Sequence, residues 1–281
     1  MTQENTAAAP QQAGATRELT PGEKLNQALY DIHPFKDASR RYLILSPQRT
    51  GSNYLCRRLC NVKGRFGLPS EYLNPSAIQM MSPRLIATGA EGGKLPLGKY
   101  LNAVERARTT ADGTFGIKVQ PAQLLGVVGR QQQALLRFVG RFDRIVLMTR
   151  RDKLGQAVSG TIAQATGRWF NDGAEPALDD ARIATLFPVI ANNLARYINE
   201  ERMILDVGKA VAKPLLRIEY EEIEADGEAA FLNLVDFLAG GEDLPLEQEE
   251  AAPIPEKPPG EFAKTVRARF LDFIGGEPAR P

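Results

Sequence analysis

The segment that most constrains this chain is RYLILSPQRTGSNYLCRRL, which runs from Arg41 to Leu59. It begins as an apolar strand, continues through a turn from Ser46 to Ser52, and ends in residues with helical spacing. A strand, a glycine-containing turn and a helix together direct backbone N–H groups and the positive end of the helix dipole at an anion. Arg49 adds a permanent positive charge. We name Ser46 to Ser52 the anion cradle and predict that it binds phosphate or sulfate; the alternative is a tight turn that only joins strand to helix.

The anion cradle differs from the phosphate loop of nucleoside triphosphatases. That loop has the pattern G-x-x-x-x-G-K-[ST], in which the lysine reaches the terminal phosphates and the hydroxyl holds magnesium. The chain contains no Gly-Lys-Ser or Gly-Lys-Thr, and its cradle has one glycine, Gly51, two residues after Arg49. Ordinary triphosphate chemistry is therefore not predicted.

Composition supports a globular protein with an anionic ligand. The chain has 281 residues, which is enough for one large domain or two small ones. Its hydrophobic content of 43% supports a buried core, and its formal net charge is +1. Residues 40 to 70 contain seven basic residues and no acidic one. Basic charge around the cradle favours an anionic ligand. A nucleic-acid surface usually has more lysine and arginine with interleaved aromatic residues, so no nucleic-acid partner is predicted.

The cysteines and the histidine do not form a metal-binding pattern. Cys56 and Cys60 lie four residues apart on the predicted helix, and His33, the single histidine, belongs to another segment. We therefore expect two reduced thiols, no metal site and no Cys/His catalytic pair. No run reaches transmembrane length, and residues 1–16 lack the features of a signal peptide, so a cytoplasmic location is the default expectation.

Strand and helix patterns alternate along the chain. We predict a disordered or loosely packed N-terminal extension over 1–38, a catalytic domain over 39–245, and an acidic, proline-rich tail over 246–281 with a terminal helix at 262–274. Apolar runs predict strands and amphipathic spacing predicts helices. The predicted strands are 43–45, 114–119, 144–149 and 215–220, and the predicted helices are 123–139, 154–166, 181–206 with a kink or split at Pro188, and 229–238. This alternation indicates an α/β, P-loop-like three-layer fold with a central parallel sheet flanked by helices.

A second anion site is predicted after the third strand. Arg150 follows that strand directly, at the edge where open α/β sheets bind ligands. Ser159 lies about two turns into the next helix, where its hydroxyl and the arginine could share a phosphate. The alternative for each residue alone is structural: an arginine at a strand end and a serine packed in a helix.

Four motifs together resemble the sulfotransferases, most closely the bacterial carbohydrate branch of trehalose 2-sulfotransferase, nodulation-factor and lipopolysaccharide sulfotransferase type. They are QRTGSNYL, GLPSEYLNP, FGIKV and RRDKLGQAVSG, in that order within about 40–226. The resemblance implies transfer of a sulfuryl group from 3′-phosphoadenosine 5′-phosphosulfate, leaving 3′,5′-adenosine bisphosphate, to a hydroxyl of a carbohydrate or glycolipid. Related enzymes can be dimers, so a homodimer is one state open to this chain.

The resemblance also implies a role for each motif residue. Arg49, Thr50, Gly51, Ser52 and Asn53 would hold the 5′-phosphosulfate, and Arg150 with Ser159 would hold the 3′-phosphate. Glu71 would be the general base, and Lys118 would touch the transferring group. Three features depart from the family pattern. Asn53 replaces a small hydroxyl residue, and Arg151 replaces a common proline. The N-terminal extension and the acidic, proline-rich tail have no counterpart in the family.

The chemistry fits these residues. Sulfuryl transfer needs in-line geometry and stabilisation of charge on the leaving phosphate, which Arg49 and the loop amides can supply without a metal. The weakly nucleophilic hydroxyl needs a base, and Glu71 is the candidate.

Trp169 and Phe170 could stack on adenine, line a sugar pocket or pack in the core. An atypical P-loop kinase and a non-catalytic nucleotide-binding module remain the alternative functions, and acceptor specificity is expected in 73–101 and 168–174.

Overall fold

A four-stranded parallel sheet forms the centre of the protein. The structure, a computed structural model, describes residues 24–62, 64–86, 96–169, 179–242 and 260–276. The strands are β1 (Arg40–Leu45), β2 (Thr114–Val119), β3 (Arg144–Thr149) and β4 (Leu215–Glu219), in the order β2-β1-β3-β4. All three pairings are parallel. The predicted parallel sheet is confirmed.

Helices connect the strands and continue after β4. In chain order they are α1 (Ser52–Cys60), α2 (Pro75–Leu85), α3 (Leu97–Arg108), α4 (Pro121–Val128), α5 (Gln132–Val139), α6 (Lys153–Thr166), α7 (Asp180–Thr185), α8 (Phe187–Ala210), α9 (Tyr220–Ala225), α10 (Gly227–Ala239) and α11 (Glu261–Gly275). A 3₁₀ turn at Ala28–Tyr30 precedes β1.

Each face of the sheet packs against its own set of helices. Because side chains alternate along a strand, Leu43 and Leu45 of β1 face one core and Tyr42 and Ile44 face the other. The first core includes residues of α3, α5 and α8, and the second includes residues of α1 and α10. Helices on both faces give the three-layer α/β architecture that the alternating pattern predicted.

The connections reverse direction beside β1. The chain moves from β1 to β2 on one side, and then crosses to β3 on the other side of β1. The crevice at such a reversal, outside the carboxyl ends of the strands, is where open α/β sheets bind ligands. Here the ends of β1 and β3 lead directly into the anion cradle and into Arg150.

One helix prediction was wrong in its continuity, and the predicted break in another was confirmed. The segment 123–139 forms two helices, because Gly129 adopts a φ of 88° and ends α4. The segment 181–206 divides into α7 and α8, and Pro188 lies in the first turn of α8, where a missing N–H is tolerated. Beyond β4, Tyr220 begins a helix rather than extending the strand.

The described parts of both predicted terminal regions contact the α/β core. Asp31 pairs with Arg108, which is fully buried in α3, at 3.2 Å. Val266 and Phe270 of α11 are buried against α6 and α8. Most of the predicted N-terminal extension, 1–23, and the acidic segment 243–259 lie outside the described residues. The domain limits at 38/39 and 245/246 stay predictions.

Candidate active site

The anion cradle has left-handed backbone at two positions. Arg49 has a φ of 63° and Gly51 a φ of 77°, and Gly51 is the residue before α1. A non-glycine residue in this region is uncommon and marks a constrained loop. The buried Thr50 hydroxyl donates to the Pro47 carbonyl at 3.1 Å and lies 2.9 Å from the Ser46 hydroxyl. Thr50 would therefore serve an anion through its backbone N–H, since its side chain holds the loop together.

The Arg49 side chain connects the cradle to the second predicted site. Its Nε donates to Ser159 Oγ at 2.9 Å, and its Nη1 donates to the Trp169 carbonyl at 2.8 Å. Burial lowers the pKa of Arg49; Tyr197 opposes this shift, and the neighbouring Arg150 adds to it. Two arginines are thus gathered around the cradle, an arrangement that an anion would stabilise. Phe170, the other predicted aromatic residue, lies outside the described residues.

Arg150 lies where β3 ends, under the cradle. Its Nη1 donates to the Arg49 carbonyl at 3.1 Å, and its guanidinium carbon stands 4.0 Å from the centre of the Tyr220 ring. Its buried Nε has no hydrogen-bond partner among the described residues. A buried donor of this kind costs free energy unless it is satisfied, and a phosphate oxygen would satisfy it. Arg150 and Ser159 lie nine residues apart in sequence, and both contact Arg49.

Arg151, the neighbour that departs from the family pattern, points elsewhere. Its side chain is 68% exposed and pairs with Glu219 at 2.8 Å. The Glu221 carboxylate accepts from the backbone N–H groups of Arg151 and Asp152, both at 3.0 Å. This part of the loop is held by carboxylates of β4 and α9, which leaves Arg150 as the arginine beside the cradle.

Glu71 and Lys118 meet on the other side of the cradle. Lys118 Nζ lies 2.5 Å from Glu71 Oε1 and also donates to the Asn53 side-chain carbonyl at 2.6 Å. Lys118 is the fifth residue of β2, and its backbone N–H donates to the Ser70 carbonyl at 3.1 Å, which fixes the loop bearing Glu71. Asn53, in the first turn of α1, thus links this pair to the cradle.

The environment keeps Glu71 ionised. Burial alone would raise its pKa, but the charge and hydrogen bond of Lys118 and the amides of Gln123 and Gln120 together lower it below its usual value. Gln120 Nε2 donates to Oε1 at 2.9 Å and Gln123 Nε2 donates to Oε2 at 2.6 Å. A carboxylate that stays ionised is in the protonation state that a general base requires.

Sequence reasoning missed three glutamines and a tyrosine at this site. Gln120 and Gln123 lie on either side of Pro121, the residue that begins α4. In the sequence this proline indicates the start of a helix, but it does not indicate that the two glutamines contact a catalytic group. Gln156, fully buried within the motif that contains Ser159, donates to the Gln48 carbonyl of the cradle at 2.7 Å. Tyr220, under Arg150, was predicted only as the end of a strand.

A cavity at the opposite edge of the sheet is not the site. It has a volume of about 180 Å³ and lies at the amino ends of the strands, with Arg40 and Arg41 in its lining. Arg40 is paired with Asp112, and Arg41 with Glu105, so both charges are already compensated. Ligands of parallel sheets bind at the carboxyl ends instead.

Two further properties concern metals and membranes. Within the described ranges, no group of three or more histidine, cysteine, aspartate or glutamate residues could hold a metal ion. None of the helices in those ranges is long and apolar enough to cross a membrane.

Comparison with known proteins identifies the family. A sulfotransferase domain from the olefin synthase of Synechococcus PCC 7002 matches with 16% identity over 88% of this chain and 91% of that chain, at a TM-score of 0.39. No curated protein sequence shows significant similarity. The pattern of the Stf0 sulphotransferase family matches residues 41–238, which include the cradle, Glu71, Lys118, Arg150 and Ser159. The resemblance seen in the sequence motifs is confirmed: the chain belongs to the Stf0 sulphotransferase family.

Proposed function

We propose that this protein transfers a sulfuryl group from 3′-phosphoadenosine 5′-phosphosulfate to a hydroxyl of a carbohydrate or glycolipid, with Glu71 as the general base. The observation that carries the proposal is the Glu71–Lys118 pair at 2.5 Å, which Asn53 connects to the cradle. A base and a cation for the transferring group thus stand in one hydrogen-bonded network with an anion-binding loop.

The two ends of the donor would be bound by different parts of the site. The cradle amides of residues 49–53 are suited to the 5′-phosphosulfate. Arg150 and Ser159 are suited to the 3′-phosphate, and the unpartnered Arg150 Nε is the specific observation that favours an anion there. Binding at both ends would hold the sulfur in line between the leaving oxygen and the acceptor hydroxyl.

The donor supplies an activated sulfuryl group whose leaving group is a phosphate. Glu71 accepts the proton of the acceptor hydroxyl as the hydroxyl oxygen bonds to sulfur. The bond between sulfur and the phosphate oxygen breaks, and its electron pair stays on the phosphate. Arg49 and the cradle amides stabilise that developing charge, and Lys118 stabilises the sulfuryl oxygens. These cations provide the electrostatic role that a metal has in many phosphoryl transfers, so we expect activity to survive EDTA.

Radiolabelled donor and a panel of glycans and glycolipids test the proposal. The purified protein should label at least one acceptor from the ³⁵S donor and none from γ-³²P ATP, which a P-loop kinase would use instead. Absence of labelled product, together with absence of binding of 3′,5′-adenosine bisphosphate in calorimetry, would refute the sulfotransferase assignment. Binding of the bisphosphate without transfer to any acceptor or to water would indicate a non-catalytic module.

Glu71→Gln separates chemistry from donor binding. We expect transfer to fall by a factor of 10² to 10⁴, the usual contribution of a general base, while affinity for 3′,5′-adenosine bisphosphate is unchanged. Glu222→Gln, at an exposed glutamate of α9, is the matched control and should retain full activity.

A cytoplasmic location and a homodimeric state are further parts of the proposal. Cell fractionation tests the location, and analytical ultracentrifugation tests the oligomeric state.

A further inference from the structure

The Glu71 carboxylate is fully occupied by hydrogen-bond donors. Oε1 accepts from Lys118 Nζ at 2.5 Å and from Gln120 Nε2 at 2.9 Å. Oε2 accepts from Gln123 Nε2 at 2.6 Å and from Asn74 Nδ2 at 3.4 Å. A carboxylate has about four acceptor positions, so these donors fill them. If Glu71 is the base of the proposed transfer, one donor must leave before it can take a proton.

The two oxygens of the Glu71 carboxylate face different parts of the site. Lys118, which donates to Oε1, also contacts Asn53 at the start of α1, so this oxygen lies on the cradle side. Asn74, which donates to Oε2, is the N-cap of α2, and its side-chain oxygen Oδ1 accepts from the Ser76 N–H at 3.1 Å. Oε2 therefore faces the helix that follows the loop, and an acceptor hydroxyl near the sulfur would meet Oε1.

The two glutamine amides are fixed in orientation. The Gln123 side-chain oxygen accepts from the Gln120 backbone N–H at 3.1 Å, which leaves its NH₂ group to face Glu71. Gln120 is the N-cap of α4 and Gln123 lies in its first turn, and Pro121 between them restricts the backbone there. Because the start of α4 holds both glutamines, their side chains cannot leave Glu71 without disrupting that end of the helix.

Lys118 is the donor that can exchange. Its ammonium is carried on a flexible four-carbon stem and already bridges Glu71 Oε1 and Asn53, the residue that follows the cradle. Anionic sulfuryl oxygens in the cradle would compete directly for that ammonium. The two neutral amides gain much less from such an exchange, because a charged donor forms the stronger bond to an anion.

We propose that Gln120 and Gln123 are positioning residues that hold the Glu71 carboxylate while Lys118 moves from Oε1 to the sulfuryl group of the bound donor, so that the base is accessible only in the donor complex. This inference rests on the function proposed above. The acceptor O–H bond then breaks toward the vacated position on Oε1, the oxygen–sulfur bond forms, and the sulfur–phosphate bond breaks with its electron pair on the phosphate.

The glutamines also set the pH range of the base. Lys118 on β2 is the charged group facing Glu71, and Cys56 on α1, whose pKa burial raises to about 12, stays neutral over the useful range. Loss of an amide donor raises the pKa of Glu71, because that donor stabilises the ionised form. The acid limb of the profile of kcat/KM against pH then moves to higher pH.

Methionine replacements test the positioning role, since methionine keeps the length of glutamine but donates no hydrogen bond. Gln120→Met and Gln123→Met should each lower kcat by about tenfold to a hundredfold, the scale of a misplaced catalytic group. Both should move the acid limb upward and leave affinity for 3′,5′-adenosine bisphosphate unchanged. Gln133→Met, at an exposed position of α5, is the control. Rates and acid limbs equal to those of the control would overturn the positioning role.

Calorimetry on the unmodified protein tests the exchange of Lys118 and does not depend on how any variant folds. When Lys118 leaves Oε1, the pKa of Glu71 rises and the protein takes up protons at acidic pH. Titrations in two buffers of different ionisation enthalpy should show this uptake with the sulfated donor and not with 3′,5′-adenosine bisphosphate, which lacks the sulfuryl group. Glu71→Gln should abolish the difference. Equal uptake for both ligands would refute the exchange.

The outcomes separate this inference from the function on which it rests. A Glu71→Gln enzyme that transfers as fast as the unmodified protein would refute Glu71 as the base. A slow Glu71→Gln enzyme with unaffected glutamine variants would refute the positioning role alone.

Discussion

Gly51 is the residue of the cradle at which a single methyl group has the clearest consequences. Its φ of 77° is costly for any residue with a Cβ, by about 1 to 2 kcal/mol. A Cβ added there would lie 2.9 Å from Ile223 Cδ1 and 3.4 Å from Tyr220 Cδ2. Relief of such a contact typically costs about 1 to 3 kcal/mol. We therefore expect Gly51→Ala to lower the free energy of unfolding by about 2 to 5 kcal/mol.

The same contact should weaken binding of the 3′-phosphate. The added Cβ would reach the limit of ordinary contact with the Tyr220 ring, which stands 4.0 Å from the guanidinium carbon of Arg150, so even a small shift of that ring reduces the stacking. The stacking, worth about 0.5 to 2 kcal/mol, holds Arg150 in place, so a two- to thirtyfold loss of affinity for 3′,5′-adenosine bisphosphate is the upper limit of the expected effect. Urea unfolding and titration calorimetry measure the two effects separately.

Alanine substitutions at two other glycines separate the cost of the backbone conformation from the cost of the steric contact. Gly64 has a φ of 68° and nothing within 4 Å of an added Cβ, so Gly64→Ala should cost only the backbone term of about 1 to 2 kcal/mol. Gly126, within α4, also has open space, and Gly126→Ala should stabilise by up to about 1 kcal/mol. If Gly51→Ala costs no more than Gly64→Ala and leaves affinity unchanged, the packing of Tyr220 and Ile223 against the cradle is refuted.

Three further predictions concern the second site, a buried carboxyl and the thiols. Arg150→Ala should lower affinity for 3′,5′-adenosine bisphosphate about tenfold or more, as expected for a charged hydrogen bond, whereas the 68%-exposed Arg151→Ala should not; equal losses would mean the second site is misassigned. Burial raises the pKa of Glu200 from 4.5 to about 6, so the folded state binds more protons than the unfolded state between these values, and stability falls as pH rises through them. Glu200→Gln should therefore match the unmodified protein below pH 4.5 and exceed it by about 2 kcal/mol at pH 7 in urea unfolding; a gap that does not change with pH would contradict this. Burial raises the pKa of Cys56 and of the half-buried Cys60 to about 12, so a thiol reagent at pH 8 should react with both slowly in the native protein and fully in urea; fast native reaction of Cys56 would refute its burial.

Sequence reasoning was most successful where one short segment determines its own structure. The apolar run before Ser46 and the helical spacing after Gly51 predicted β1 and α1, because a buried parallel strand and an amphipathic helix have distinct periods. It was less successful at Gly129, because a glycine can either weaken a helix or end it. Gly129 ends α4, and that outcome depends on how the two halves of 123–139 pack against the sheet.

The sequence alone determined the fold class and the strand, turn and helix of the cradle, and through family resemblance it proposed the candidates Glu71, Lys118, Arg150 and Ser159. It could not determine which of them meet. Lys118 belongs to a strand that is buried throughout, so its ammonium requires a partner, but strand alternation does not specify which residue provides one. The tertiary structure brings Glu71 to it across 47 residues and Arg49 to Ser159 across 110. It also directs the amides of Gln120 and Gln123 at the carboxylate, because the start of α4 lies beside the loop that carries Glu71. The physical reason is that hydrogen bonds and charges act over a few ångströms, and only the packing of the sheet and its helices sets those separations.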